Sequence, residues 1–390
     1  MYNKLTILGR QSALSLAELE ALLGDHNVCS HGAHVALVND AGTPLTHATI
    51  GGTIKIGEVI GSYPTQDFRS LLPYITTWLD TYTKDLPEGK LKIGISLYGL
   101  KGQPRAIGAF GLEIKRHLKS QGKSVRLVPN TTSDLSSAQV FHNHLANELG
   151  VEFLIASDGK ETVIARTTSV QDINNYSRRD YHRPRRDAFV GMLPPKLAQI
   201  MLNLAQAEKG STVLDPFCGT GVVLMEATLR GCQVIGSDIS QKMIDYTEEN
   251  LKWLSEVYET PSTIVSLGAA DAQSASWATP IDHAVCETYL GRPLSILPRR
   301  EDLEKIRSEC DSLVSHFLTN LLPQLGAQSR CTIAVPAWKK EKGFIHLPVI
   351  DQLEKIGYNR HSFSHANYTD MIYSREDQLV ARELLVLTKR

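Results

Sequence analysis

Val213-Leu214-Asp215-Pro216-Phe217-Cys218-Gly219-Thr220-Gly221 reads as a buried strand that ends in a tight glycine turn and opens directly into a helix. In an open α/β sheet, a strand, a Gly-rich turn and a helix N-terminus together form a site for a nucleoside cofactor. Pyrophosphate-binding turns carry three spaced glycines or a Gly-Lys-Thr. This one has two glycines, no lysine, and an acid at the strand end. A carboxylate there repels phosphate and suits a cation. The implied ligand is S-adenosylmethionine, which has an ammonium and a sulfonium and no phosphate.

Outward from this turn the pattern repeats. Leu197, Ile200, Met201, Leu204 and Ala205 share a helical face ahead of it. The spacing then predicts strand 211–215, helix 220–230, strand 233–237 and helix 240–254. Apolar runs at 281–286, 331–336 and 383–388 alternate with helix patterns at 301–323 and 348–356. Repeated βα units of this length imply a mostly parallel, doubly wound α/β sheet.

The N-terminal half follows another rhythm. A strand at Lys4–Leu8 precedes a short helix around Leu14–Leu23, closed by Gly24. Short strands are expected at 35–38 and 53–56, and a helix at about 67–81. A second unit opens with the strand at Lys92–Tyr98. It continues with a helix at 111–122, a strand at 125–128, a helix at 137–149, and a hairpin joining 151–156 to 162–166. Between the halves, five of the ten residues 178–187 are arginine. There is no internal repeat.

Bulk properties narrow the class. A chain of 390 residues with 42% hydrophobic and 21% charged content can bury two or three full domains. A net charge of -1 excludes polyanion binding by overall charge, so any nucleic-acid role needs local basic patches. The six cysteines are scattered without a CxxC pair, which argues against zinc and disulfides and fits a reducing cytoplasm. No apolar stretch reaches the ~18 residues of a membrane span, and no signal peptide is visible. No metal is expected.

Four constellations can carry chemistry. Asp215, Phe217, Gly219 and Gly221 form the turn, with Asp215 facing the cationic methionine end of the cofactor. Asp238, 23 residues after Asp215 at the end of the next strand, can accept hydrogen bonds from ribose hydroxyls, with Ile239 beside it. Asp238 would serve equally as a helix cap. After a third strand at 263–267, Asp271 can accept from the adenine amino group, with Ala272 next to it, or can be a plain turn residue. Glu287 and Tyr289 follow the next strand, at the expected place for a methyl acceptor. The carboxylate can hold the amino group of a base while the ring stacks on it. Transfer to an exocyclic amine needs mainly that the nitrogen lone pair be aimed at the methyl. Cys218 and Cys286 raise a rival chemistry, thiolate attack on a pyrimidine, which requires a thiol of lowered pKa.

Basic residues mark a partner. Between 101 and 130, Lys101, Arg105, Lys115, Arg116, Lys119, Lys123 and Arg126 stand against a single acid, Glu113. Such a cluster on a small α/β module fits phosphates. Arg183, Arg185 and Arg186 of the arginine-rich segment extend the RNA-binding expectation, although these arginines could equally pair with Asp172, Asp180 and Asp187.

Together these motifs resemble the THUMP-containing tRNA methyltransferases that act on the guanine N2 amine. Leu8-Gly9-Arg10 and Leu14–Leu19 look like that family's opening. Lys92–Leu97 and Val151–Ile155 look like its THUMP region. Val170-Gln171-Asp172, Arg179-Asp180, Arg183-Pro184 and the run from Gly191 to Ala198 look like the entry to its catalytic domain. Tyr373-Ser374-Arg375 and the run from Asp377 to Leu387 look like its closing strands. The resemblance implies a ferredoxin-like domain at 1–88, a THUMP-like RNA-binding domain at 89–168, an Arg-rich linker at 169–190 and a Rossmann-like methyltransferase domain at 191–390. It implies S-adenosylmethionine as cofactor and tRNA as partner, and the sequence leaves an activating partner subunit open.

One departure stands out. The family's acceptor motif is Asp or Asn, two prolines, then an aromatic. Here the run is Glu287-Thr288-Tyr289-Leu290, with no proline and a longer acidic arm. Two other expectations share the same residues: a methyltransferase-like tRNA-binding protein without catalysis, and a methyltransferase for rRNA or for adenine N6 in DNA. Mono- and dimethylation both remain open on the sequence.

Overall fold

The computed structural model describes residues 2–187, 192–277, 280–292, 294, 296 and 298–390. It divides into two units, one made of 1–48 and 52–174, the other of 49–51 and 175–390.

The first unit contains β1 (Lys4–Leu8), α1 (Ser12–Leu23), β2 (Val28–Ser30), β3 (Val35–Val38), β4 (Thr53–Tyr63), α2 (Leu72–Tyr82), β5 (Lys90–Tyr98), α3 (Pro104–Ser120), β6 (Ser124–Leu127), α4 (Ser137–Asn143), β7 (Gly150–Ser157) and β8 (Thr162–Val170). All eight strands join one sheet in the order β2-β3-β1-β4-β8-β7-β5-β6. Segments 1–88 and 89–168 therefore share a sheet, stitched where β4 pairs antiparallel with β8. On one side, Ile75 and Leu79 of α2 and Phe110 and Ile114 of α3 pack on Ile93 and Phe153. Inside the sheet, Lys55 donates to Glu152 at 2.5 Å, and Ser96 and Thr167 donate to the same carboxylate.

The second unit begins with most of α5 (Ile173–Tyr181), within the expected linker. It continues with α6 (Pro195–Leu204), β9 (Thr212–Asp215), α7 (Val222–Arg230), β10 (Gln233–Asp238), α8 (Gln241–Tyr258), β11 (Ile264–Ala269), β12 (His283–Glu287), α9 (Arg300–Leu321), β13 (Arg330–Lys339), β14 (Phe344–Ile345), α10 (Leu353–Ile356), β15 (Tyr358–Arg360), β16 (Ile372–Tyr373) and β17 (Val380–Lys389). Gly191, which opens the expected catalytic-domain motif, lies outside the described residues, as do residues 188–190 of the linker.

The main sheet runs β11-β10-β9-β12-β13-β17-β15. Strands β9 to β13 pair parallel, and β17 lies antiparallel beside β13. Val213-Leu214, Val234-Ile235 and Ala284-Val285-Cys286 are fully buried because helices cover both faces of such a sheet. Successive strands step outward from β9 through β10 to β11. The chain then returns to the other side of β9 to lay down β12 and β13. The reversal between β9 and β12 is a topological switch point, where open α/β sheets leave a crevice beyond the strand ends.

Candidate active site

The crevice is a cavity of about 530 Å3 at the carboxyl ends of β9, β10 and β12. That lies within the ~300–1,000 Å3 typical of small-molecule sites. Asp215, Phe217, Gly219, Asp238, Ile239, Asp271, Ala272, Glu287 and Tyr289 all line it. Gly221 does not. It caps the N-terminus of α7 at φ 83°, where a Cβ would meet the Thr247 methyl at 2.9 Å.

Local chemistry explains each position. Gly219, at φ 53°, turns the chain after β9 and donates its N–H to Asp238 at 3.0 Å. Its carbonyl accepts from Thr247 at 2.8 Å, and Asn250 donates to the Thr220 carbonyl at 2.8 Å. The loop is thus pinned from α8. Ser240 N–H also donates to Asp238, at 2.9 Å, so two main-chain donors orient this carboxylate at the strand end. The side chain fastens the loop and lines the cavity, while the N-cap of α8 is Ser240, so Asp238 does not cap that helix. Gln273 N–H closes a turn on Asp271 at 2.9 Å. Phe217 meets Phe317 of α9 edge-on at 5.0 Å and walls the cavity.

Electrostatics single out Asp215, only 2% exposed. Burial pushes its carboxyl well above the ordinary carboxylate range, and the charges of Asp238 and Glu287 push it further. The Phe217 N–H, at 3.1 Å, opposes this. Three converging acids with one deeply buried form a site that a cation relieves. Ile239, 77% exposed, offers an apolar surface at the cavity, and Tyr289 is 48% exposed there. The donor set therefore fits a ligand with cationic and apolar parts.

The thiols do not suit nucleophilic attack. Cys218 and Cys286 are both buried, and burial followed by the Asp215 charge pushes each well above its ordinary value. They act as packing groups.

At the acceptor end, Arg382 of β17 donates through Nε to Glu287 Oε1. No local signal marked Arg382, which sits in the closing strand far along the chain. Asp187 and Lys242 were also missed. They line the cavity and pair at 2.9 Å, bringing the arginine-rich segment to its wall.

The proposed RNA-contacting residues separate by environment. Lys101, Arg105, Arg116, Lys119 and Arg126 are exposed on and around α3, whereas Lys115 and Lys123 are half-buried and Lys123 donates to the Thr83 carbonyl at 2.7 Å. Arg185 pairs with Glu249 at 2.6 Å, and Arg186 lies over the Tyr181 ring. Arg183 requires a correction. It is 3% exposed, donates to the Arg179 carbonyl at 3.0 Å, and approaches Thr220 of the glycine turn at 3.5 Å. Its guanidinium holds the turn in place and is closed to a phosphate. Among the described residues, no helix is long and apolar enough to cross a membrane.

Residues 183–286 match the family described as UPF0020, RMKL-like, methyltransferase domain. Over 72 residues the chain is 47% identical to the tRNA (guanine(10)-N2)-dimethyltransferase of Methanothermobacter thermautotrophicus, covering 18% of this chain and 21% of that protein. Over 83 residues it is 43% identical to the enzyme of the same name from Methanocaldococcus jannaschii, covering 21% and 22%. The chain thus spans about a fifth of the length of the curated relatives it matches. In fold it is similar over 100% of its length to TrmN from Thermus thermophilus, at a TM-score of 0.54, 17% identity and 99% coverage of that chain. It is likewise similar to SMU.472, solved in complex with SAH, at a TM-score of 0.52, 12% identity and 98% coverage of that chain. The chain has the fold of these two proteins, and the stretch that matches the methyltransferase-domain family, residues 183–286, contains the glycine turn and three of the strands that end at the cavity.

Proposed function

We propose that this protein is an S-adenosylmethionine-dependent tRNA methyltransferase acting on the exocyclic N2 amine of a guanosine. The observation that carries the reading is the buried Asp215 carboxyl, facing a cavity it shares with Asp238 and Glu287 at the switch point. Asp215 would face the cationic methionine end, Asp238 the ribose hydroxyls, and Asp271 the adenine, with Ile239 against the ring. The bound cofactor supplies an electrophilic methyl group on a cationic sulfur.

Glu287 accepts a hydrogen bond from the guanine amine, and Tyr289 stacks on the base. This turns the nitrogen lone pair toward the methyl carbon. A cofactor held by Asp215, Asp238 and Asp271 would supply the methyl group to that nitrogen, with the electron pair of the broken C–S bond remaining on sulfur. The proton lost from nitrogen passes to Glu287 and then to water.

The exposed cluster Lys101, Arg105, Arg116, Lys119 and Arg126 would meet tRNA phosphates, making the first unit the RNA-binding half with a THUMP-like part. A cytoplasmic site of action follows from such a substrate. An activating partner subunit belongs to the same proposal; β11, at the sheet edge, exposes Ile264 and Val265.

The test is nucleoside mass spectrometry of tRNA incubated with the purified protein and methyl-labelled cofactor. Label in N2-methylguanosine or N2,N2-dimethylguanosine is expected. Label in another nucleoside would sink the guanine assignment. A second reading is favoured by the missing prolines and by the engagement of Glu287 with Arg382. It is a tRNA-binding protein without transfer, and it predicts salt-dependent tRNA binding with no label in any nucleoside.

A further inference from the structure

The sheet register puts Glu287 and Arg382 two strands apart on one face. Glu287, the last residue of β12, is the parallel partner of Ala334 in β13. Two residues on, Pro336 is the antiparallel partner of Arg382 in β17. Directly paired residues point to the same face, as do residues two apart along a strand. Glu287, Ala334, Pro336 and Arg382 therefore project from the same side. The residues of β13 that lie on this face between the acid and the base are Ala334 and Pro336, both short, so the guanidinium can cross β13 above them.

Arg382 is 5% exposed and does not line the cavity; Glu287 does. Gln378 accepts from the other end of the guanidinium at 3.5 Å. The backbone past Glu287 is fixed by the Thr288 N–H, which donates to the Ala334 carbonyl at 2.9 Å, and the Thr288 hydroxyl reaches the same oxygen at 3.3 Å. The stretch with no proline to stiffen it is thus clamped twice, through its main chain by β13 and through its acid by β17.

We propose that Arg382 is a positioning residue for the acceptor site. It engages Oε1 of Glu287 from behind and leaves Oε2 to face the substrate amine. The longer arm of glutamate lets the carboxylate reach both the guanidinium and the cavity. Arg382 is the element that makes a Glu-Thr-Tyr run workable, because it replaces turn rigidity with a charge-assisted hydrogen bond.

The inference rests on the methyltransferase reading, and kinetics separates the two. Wild-type incorporation of label into guanine N2 reports that reading. The ratio of variant to wild-type rates reports the role of Arg382. Arg382→Ala is expected to lower kcat by about 100-fold, the scale of a small misplacement of a reacting group. The KM for tRNA and the Kd for S-adenosylmethionine should change little. Arg382→Lys should regain part of the rate, and guanidinium ion at sub-denaturing concentration should raise that of Arg382→Ala. Should the alanine variant not fold, Arg382→Gln is read by the same measurements. Wild-type turnover in Arg382→Ala overturns the proposal. So does a slow variant that neither lysine nor guanidinium rescues and whose cofactor affinity falls alongside kcat, because that pattern marks a merely structural residue.

Discussion

A single residue, Asp215, ties stability to ligand binding. Its carboxyl ionises less readily in the folded chain than its ordinary value of 3.8 allows, first through burial and then through Asp238 and Glu287. Above pH 3.8 and up to the raised value, the folded state therefore holds more protons than the unfolded state. Stability contributed by this group falls as pH rises through that window. Asp215→Asn should accordingly raise the melting temperature of the ligand-free protein at neutral pH, while weakening its affinity for S-adenosylmethionine. A cation favours the ionised carboxyl, so binding should release a proton and tighten as pH rises. Calorimetry in buffers of different ionisation enthalpy measures this directly, and proton uptake on binding would contradict the assignment. Asp238→Ala should weaken cofactor binding by about 1.5–3 kcal/mol, the scale of a hydrogen bond to a charged group. The place of Asp215 and Asp238 at the cavity is legible because strand, turn and helix signals converge on them within 30 residues of sequence. Arg382 was not, because its role depends on strand register, which no local pattern encodes. Arg183 misled for a related reason: an arginine in a basic run reads as solvent-facing, and only the fold shows it closed off beneath the glycine turn.

Elements were read well where periodicity was strong and less well where a cap or turn set the boundary. The spacing placed a helix at 137–149, but α4 stops at Asn143 because His144 adopts the left-handed conformation at φ 58°. The pattern at 348–356 becomes a 3-10 turn at Pro348–Gln352 followed by the short α10. The helix read from 111 starts at Pro104, where the proline suits the first helical turn. The arginine-rich stretch reads as a linker, yet α5 runs through it. Arg179 of α5 donates to Glu226 of α7 at 2.6 Å, and both side chains are buried. Burial raises the Glu226 pKa, and Arg179 counters this. Arg179→Met should cost about 3–5 kcal/mol by stranding the glutamate, whereas Arg179→Met with Glu226→Leu should come back close to wild type. Urea unfolding of the single and double variants decides this; a double variant no more stable than the single one would show that the pair matters for something other than charge balance. The arginine-rich signal therefore marks the fastening of α5 to the helix that leaves the glycine turn at least as much as a nucleic-acid contact.

At the scale of the whole molecule, charge is distributed so that a chain of net charge -1 keeps a basic surface in its first unit. Around α3, five cations are exposed, whereas the cavity of the second unit gathers five acids, Asp187, Asp215, Asp238, Asp271 and Glu287, beside Lys242. Composition alone showed the excess of basic residues at 101–130, but not which of them face solvent. That depends on α3 burying Ile107, Phe110, Ile114 and Leu118 against the sheet and so turning Arg105, Arg116 and Lys119 outward. Each phosphate neutralised by such a residue releases a condensed counterion, so log K for tRNA should fall with log salt by roughly 0.7–0.9 per contact. Replacing Arg105, Arg116 and Lys119 together by glutamine should weaken tRNA binding and flatten that slope by about 2–3 units, with the Kd for S-adenosylmethionine unchanged. Fluorescence titrations across a salt series measure both quantities. An unchanged slope in the triple variant would move the tRNA-contacting surface away from α3. A loss of cofactor affinity in the same variant would mean that the replacements damage the fold.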